Sequence, residues 1–550
     1  MSIFSQIPLP KISRSTHPLN HSFQMTGDFG GIYPIMTELA FAGDSWRCNL
    51  EQFVRSMPMI APVMSMVDIK VDAFFVPIRL IWADFEDFIT LGPTGEASFD
   101  WPTISIPSGA PSSDGAVEIR NKISGVGGLS DYLNFPSYTY VKNVAPYGKR
   151  SFDALPFRCY QFIYNEYFRN QNLESEIPII TSSGNTDLST TGTSPSYFRH
   201  FHMQYRGWNK DYFTSALPYP QKGPAVRMPA QDVVIGADPD SHLEFKSTTS
   251  VSVQEDDVVN LKGIVTDVQD QNVKGQALFE TENENVAYID YLAGLKASGV
   301  NAPTIEELRY AEVLQEFYEA NARGGSRPKE YYLNIWHTRT KDSRLDRPEY
   351  LGGYRGPITI TDIDQTSQSD ISAQATPAGK GISAGGNKII RYSCSEHGYI
   401  MVLVSITPRS SYSQGYRKMN LYRDVFDFPN PFFANLGEQE IKNLELYDDP
   451  TDGNNDKTFG YTPRYAEAKF IPSTVHGQLR SNLNYWTLTR LFSSRPNLNS
   501  AFVHIDPAEV ARIFPSQVSD NDKFVATFYF KIKRRMYLPY WGVPRLIHSL

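Results

Sequence analysis

The segment VDIKVDAFFVPIRLIW, Val67 to Trp82, decides the fold class. Val67, Ile69, Val71 and Ala73 alternate with Asp68, Lys70 and Asp72, and the second half is continuously apolar. Period two with β-branched residues specifies a strand, and the loss of alternation specifies burial of its far half on both faces. Two other stretches read the same way. Gly398 to Thr407 (GYIMVLVSIT) is apolar nearly throughout, and within Lys523 to Lys533 (KFVATFYFKIK) Phe524, Ala526, Phe528, Phe530 and Ile532 share one face. These strands lie far apart in the chain, and each is too apolar to stand alone. One sheet system must gather them, as Greek-key and jelly-roll folds do.

Composition supports many short strands. Of 550 residues 41% are hydrophobic and 13% aromatic, enough for a large core, while Gly and Pro contribute 37 each. Charged residues are 20%, against about a quarter in ordinary globular domains. Length alone allows several domains, but an all-β fold with long insertions can stretch a single one. Cys48, Cys159 and Cys394 form no CxxC pair, which argues against a disulfide framework or structural zinc and suits a reducing cytosol. The first residues, MSIFSQIPLPKISRS, lack the apolar run of a signal peptide, and no stretch of about 18 apolar residues occurs, so no membrane insertion is expected. The net charge of −8 excludes a chain that neutralises a genome unaided; any DNA contact must be local or shared with a basic partner.

Helices are few. Ala154 to Asn170 places Phe157, Tyr160, Ile163/Tyr164 and Tyr167/Phe168 at helical spacing. Thr304 with Glu307 forms a capping-box pattern, and that helix should run to about Ala322 and stop at Gly324–Gly325. Residues 222–300 read as an irregular, polar, acidic tract, and 361–388 as a second one rich in Ser, Thr, Gln and Gly; both are expected to be surface excursions.

Catalytic patterns fail on context. Gly381-Ile-Ser383-Ala-Gly385 matches a nucleophile elbow but has neither the preceding strand nor the following helix, so it reads as a flexible Gly/Ser loop. His200 and His202 lack a third zinc ligand, and His397 reads as a packing or hydrogen-bonded residue. The acidic turn from Asp448 to Asp456 has Pro450 and Phe459 where a calcium loop needs oxygen ligands; it is a solvated turn with at most weak structural binding of a divalent cation. Ala322 to Arg327 reads as a helix C-cap. No catalytic, cofactor-binding or metal site is expected. One basic cluster remains: Lys531, Lys533, Arg534 and Arg535, followed by Tyr537, Tyr540, Trp541 and Arg545. Cations interleaved with aromatics suit single-stranded DNA, with charge on phosphate and rings on bases. The same pattern also fits a strand end with solvated charges and a tail packed on a neighbour.

Short phrases in order then carry a resemblance. His21-Ser-Phe, Tyr33-Pro-Ile and Phe41-Ala-Gly-Asp44 open it, followed by Phe74 to Trp82, Asp84 to Phe88, and Ala154 to Leu173. Asp211 to Gly223 (DYFTSALPYPQKG), Ala322 to Gly325 and Arg344 to Gly353 (RLDRPEYLGG) continue it. Glu396-His-Gly-Tyr399, Leu436 to Gln439, Phe459-Gly-Tyr461 and Arg464 to Glu467 complete it. Together they resemble the major capsid proteins of Microviridae, small single-stranded DNA bacteriophages, especially the gokushovirus-type branch. Cys159 and the tyrosines at Tyr164, Tyr167 and Tyr219 depart from the usual pattern.

The resemblance implies an all-β fold, an eight-stranded β-jelly-roll of the viral capsid type with long loop insertions and a few short helices. It implies one capsid domain over residues 1–550, with an N-terminal arm (1–20), a C-terminal tail (534–550) and a surface insertion (222–300) forming a threefold protrusion used in host attachment. The protein would assemble with itself, in the host bacterial cytoplasm, into a T=1 icosahedral virion shell around circular single-stranded DNA. Other implied partners are a small basic DNA-binding protein, an internal scaffolding protein, a DNA pilot protein and a host cell-surface receptor. The DNA-contact candidates are Lys531, Lys533, Arg534, Arg535 and Trp541. The main rival reading is a carbohydrate-binding or glycan-cleaving β-sandwich, which requires paired carboxylates in a cleft; a receptor-binding spike would require a stalk or repeats, and the sequence has neither.

Overall fold

The computed structural model describes residues 14–96, 98–106, 125–136, 150–187, 201–226, 305–364, 377–451, 453–515 and 521–541, with six short strands between 234 and 298. By packing, the chain divides into two compact units, Met1–Pro220 with Ala320–Leu550, and Gln221–Glu319.

In the first unit β1 (Ser15–Pro18), β2 (His21–Gly27), β3 (Tyr33–Ala40), β4 (Ser45–Ser56) and β5 (Val67–Pro77) are followed by β6 (Glu349–Asp364), β7 (Pro377–Ser393), β8 (Gly398–Pro408) and β9 (Phe524–Met536). Their order is β1-β9-β4-β7-β6-β5-β8-β3, with β2 also on β9. The antiparallel pairs β5–β6, β4–β7, β3–β8 and β2–β9 nest inside one another. A long nested hairpin folded over on itself gives two four-stranded sheets, β2-β9-β4-β7 and β3-β8-β5-β6, which β8–β5 and β9–β4 contacts complete. This is the expected eight-stranded jelly roll. The sheets meet in β6, whose Glu349–Ile358 half pairs with β5 and whose Thr359–Asp364 half pairs with β7.

The two sheets are covered unequally. Between them Ile400, Val402, Val404 and Ile406 of β8 join Trp46, Cys48, Leu50 and Val54 of β4 and Phe524, Phe528, Phe530 and Ile532 of β9. Tyr399, Met401 and Leu403 point the other way, into a second core with Phe74, Val76, Trp82 and the helix α1 (Leu155–Ile163). The central strands of this sheet, β5 and β8, are therefore buried on both faces, which is why β5 loses its alternation and β8 has no exposed residue. In the other sheet β4 and β9 alternate along their whole length, burying every second side chain and turning the rest outward.

Several expectations need correction. The strand at Val67 stops at Pro77, which caps a helical turn, Ile78–Ile81. Most of 361–388, read as a surface excursion, belongs to β6 and β7; only 365–376 lies outside the described residues. Glycine is required in β7 because a Cβ at Gly379 would lie 2.5 Å from the Ala61 carbonyl oxygen. The tract 222–300 is also more regular than expected. Its unit contains an antiparallel sheet in the order Glu244–Ser247, Val286–Tyr291, Asn272–Glu280, Asn260–Gln269, and a second pair, Val234–Gly236 with Lys296–Ser298. The helix α2 spans Ile305–Gly324 and ends at Gly325 with φ +94°, a C-cap as read; Thr304 lies outside the described residues.

Candidate nucleic-acid interface

Strand periodicity divides the basic cluster. In β9 the even positions from Phe524 to Met536 face the core and the odd ones face out. Arg534 is thereby an inward residue. Its Nε and Nη2 donate to Oδ2 of Asp44 at 2.8 and 2.6 Å, the same oxygen that accepts the Phe41 amide at 2.9 Å. Asp44 is 1% exposed and Arg534 7%, and the guanidinium lies 4.7 Å and 4.6 Å from the Phe41 and Trp46 ring centroids. Arg534 is a structural cation that ties β9 to the turn before β4.

Lys531, Lys533 and Arg535 point outward and are exposed, and the sheet brings further cations beside them. Lys533 lies opposite Arg47 of β4, and Arg47 lies opposite Arg391 of β7. These three exposed residues form one row across three strands. Opposed Cβ atoms in such a sheet are about 5 Å apart, and like charges placed so repel. Among the described residues none of the three forms an ion pair. In the flanking rows Arg535 faces Ser45, while Asn49 lies between Lys531 and Lys388. Glu51 is the carboxylate here: it accepts a hydrogen bond from Lys531, which raises the lysine's pKa.

Apolar rings share the face. Tyr529 is opposite Glu51, and Phe53 is opposite Thr527; they are 38% and 40% exposed. The Arg55 guanidinium sits 4.7 Å from the Phe53 ring centroid. Beyond β9, the Arg14 guanidinium lies 4.1 Å from the Tyr537 ring centroid and donates to its hydroxyl at 2.7 Å, and Tyr540 stacks on His17. Trp541 is 78% exposed, with its ring edge-on to Tyr540. The bare sheet face thus combines unbalanced cations with exposed rings, the chemistry suited to a single strand. Sequence reading found the β9 cations and missed Arg47, Lys388 and Arg391. The alternation WRCNLEQFVRS of β4 carried the signal for Arg47, but its pairing with β9 is non-local.

The other candidate groups have local structural roles. Ser383 lies within β7, not in a loop; its hydroxyl donates to the Pro357 carbonyl at 3.0 Å and accepts from Gln52 at 3.2 Å. His397 accepts the Ala42 amide at 3.4 Å between the edges of Phe41 and Phe85. In the acidic turn Asp448 accepts from Asn455, Asp449 from Thr451, and Asp456 pairs with Lys442. His200 lies outside the described residues. Among the described residues no group of three His, Cys, Asp or Glu side chains is arranged to hold a metal, and no helix is long and apolar enough to cross a membrane. The three cysteines are buried, and burial pushes the Cys48 and Cys394 thiols up to about 12.

Jelly rolls occur in viral capsid subunits as well as in lectins and cupins, and comparison with known proteins decides between them. The family described as capsid protein (F protein) matches residues 5–546. The chain belongs to that family. It is 31% identical to capsid protein VP1 of Bdellovibrio phage phiMH2K, over 98% of this chain and 97% of that one. It is 28% identical to capsid protein VP1 of Chlamydia phage 1 and of Spiroplasma virus 4, in each case over 99% of this chain and 97% of the relative. The resemblance to Microviridae capsid proteins therefore holds along the whole chain. This is a structural protein that self-assembles into a shell and forms part of the virion; it is not an enzyme, and the glycan-cleaving alternative falls.

Proposed function

We propose that the shell encloses a circular single-stranded DNA genome and that each subunit turns its bare β2-β9-β4-β7 face toward it. The observation that carries this reading is the row Arg391–Arg47–Lys533, three exposed cations in register without a carboxylate. Such a row repels itself in the free subunit and is stabilised by a polyanion laid across it. Arg535 and Lys388 extend the charge, Lys531 being engaged by Glu51, and Phe53, Tyr529 and Trp541 offer rings to unstacked bases. The whole-chain charge of −8 leaves most of the genome to be neutralised by a separate small basic protein. Assembly in the host bacterial cytoplasm, on an internal scaffolding protein and with a DNA pilot protein, completes the proposal, in a shell of T=1 icosahedral symmetry. The insertion 222–300, set between β5 and β6, supplies the threefold surface protrusion that meets the host receptor.

Nuclease treatment of purified particles tests the DNA reading. Native particles should release protected single-stranded DNA when opened, and particles of the Arg47→Gln/Arg391→Gln/Lys533→Gln variant should hold less. Equal DNA content in the two would remove the basic row from this role.

A further inference from the structure

The connection from β8 to β9 contains a segment that none of the described residues covers. From Arg423 to Phe432 every residue is exposed, yet the sequence, RDVFDFPNPF, carries three phenylalanines and a valine. Val425 is 80% exposed, Phe426 69%, Phe428 67%, Phe432 92% and Leu436 61%. At about 150–250 Å² for each aromatic side chain, these five leave on the order of 600 Å² of apolar surface uncovered. That reaches the upper end of the largest apolar patch on a typical monomer, about 300–600 Å², and approaches the roughly 800 Å² that each partner gives to a stable interface.

The segment is held in shape without a core beneath it. Two single-turn 3₁₀ helices, Val425–Asp427 and Pro431–Phe433, follow one another. Asp424 accepts the Val425 amide at 2.5 Å, and Asp427 accepts the Arg423 and Asp424 amides at 2.7 and 3.0 Å. Asn430 accepts the Phe432 amide at 3.0 Å. Side-chain caps on exposed backbone thus fix a conformation in which the rings stand in water, an arrangement that lowers the ordering cost of docking.

We propose that residues Val425–Leu436 are a docking element for a neighbouring copy of this chain in the shell. The occupant follows from what the protein does: many copies pack side by side, and a finished particle with this patch bare on every subunit would aggregate. Within Val425–Leu436 only Asp427 carries charge, and it is engaged by the Arg423 and Asp424 amides, which fits the charge-depleted, aromatic centre of a protein–protein contact. The inference rests on shell assembly and not on which sheet faces the genome.

Thiol labelling gives the test, because the three native cysteines are buried and Phe432→Cys adds an accessible one. In unassembled subunits the new thiol should react quickly with a maleimide. In intact particles it should react at least about tenfold more slowly, since it must wait for local opening of the contact. Equal rates in subunit and particle would overturn the proposal, and would be the result if the patch served a host surface instead. A second variant, Phe426→Ser/Phe432→Ser, should keep the melting temperature of the native subunit and fail to sediment as shells. A normal shell yield would overturn the proposal as well.

Discussion

Replacing Arg47, Arg391 and Lys533 together by glutamine should change the salt dependence of DNA binding more than the stability of the subunit. All three side chains are exposed and bear on one row of the sheet, so their removal leaves the cores untouched. Each phosphate contact to a single strand contributes about 0.7 to the slope of log affinity against log salt, so three contacts contribute about 2.1. Between about 50 and 200 mM salt the native subunit should therefore lose roughly eighteenfold more affinity than the variant. Fluorescence anisotropy of a labelled single-stranded oligonucleotide, titrated with unassembled subunit at several salt concentrations, measures both slopes. Lys531→Gln is the internal control: its ammonium is already engaged by Glu51, so its slope change should fall below about 0.7. A triple variant with the native slope would refute the reasoning and assign the row to a subunit contact or a solvated face.

Asp44→Ala strands the buried Arg534 guanidinium and should cost about 3–5 kcal/mol in urea unfolding of the subunit, with the salt slope of those variants that fold unchanged. Gly353→Ala should sharply lower the yield of soluble subunit, because a Cβ there would lie 2.2 Å from the Val71 carbonyl oxygen on the paired strand. Burial raises the pKa of Glu445 above its usual 4.5, with Lys418 and the hydrogen bonds from Lys442 and Tyr212 opposing it. Its contribution to stability is therefore complete below pH 4.5 and lost as pH rises through the folded-state value, so Glu445→Gln should flatten the fall in melting temperature above pH 4.5. Deleting residues 232–285 should spare shell formation and reduce attachment to host cells in an adsorption assay; loss of all soluble subunit would contradict a surface role.

The parts of this fold that could be read from sequence are those with strong local periodicity. The alternation of Phe524 to Ile532 and the unbroken apolar run of β8 mark two strands, the first with its apolar side chains on one face and the second buried on both. β7 was misread because its glycines and serines look like a loop. They are there because the Ala61–Pro62 backbone passes beside Gly379, and because Ser383 satisfies the Pro357 carbonyl. The Gly352–Gly353 pair in RLDRPEYLGG marks a β-bulge: the register of β6 on β5 shifts between Tyr350 and Gly352, and Gly352 has φ +140°. The basic site was only half legible. Lys533 and Arg535 stand out in one short run, but Arg47 and Arg391 join them only through strand pairing across hundreds of residues. Arg534 looked equivalent to its neighbours, although strand parity turns it inward onto Asp44.

The most direct test is an electron cryo-microscopy reconstruction of DNA-filled particles compared with emptied ones. The account predicts that the β2-β9-β4-β7 sheet faces the interior, with density beside Arg47, Arg391 and Lys533 in filled particles that is absent from emptied ones. An orientation that places this sheet on the outer surface, or against a neighbouring subunit, would contradict it.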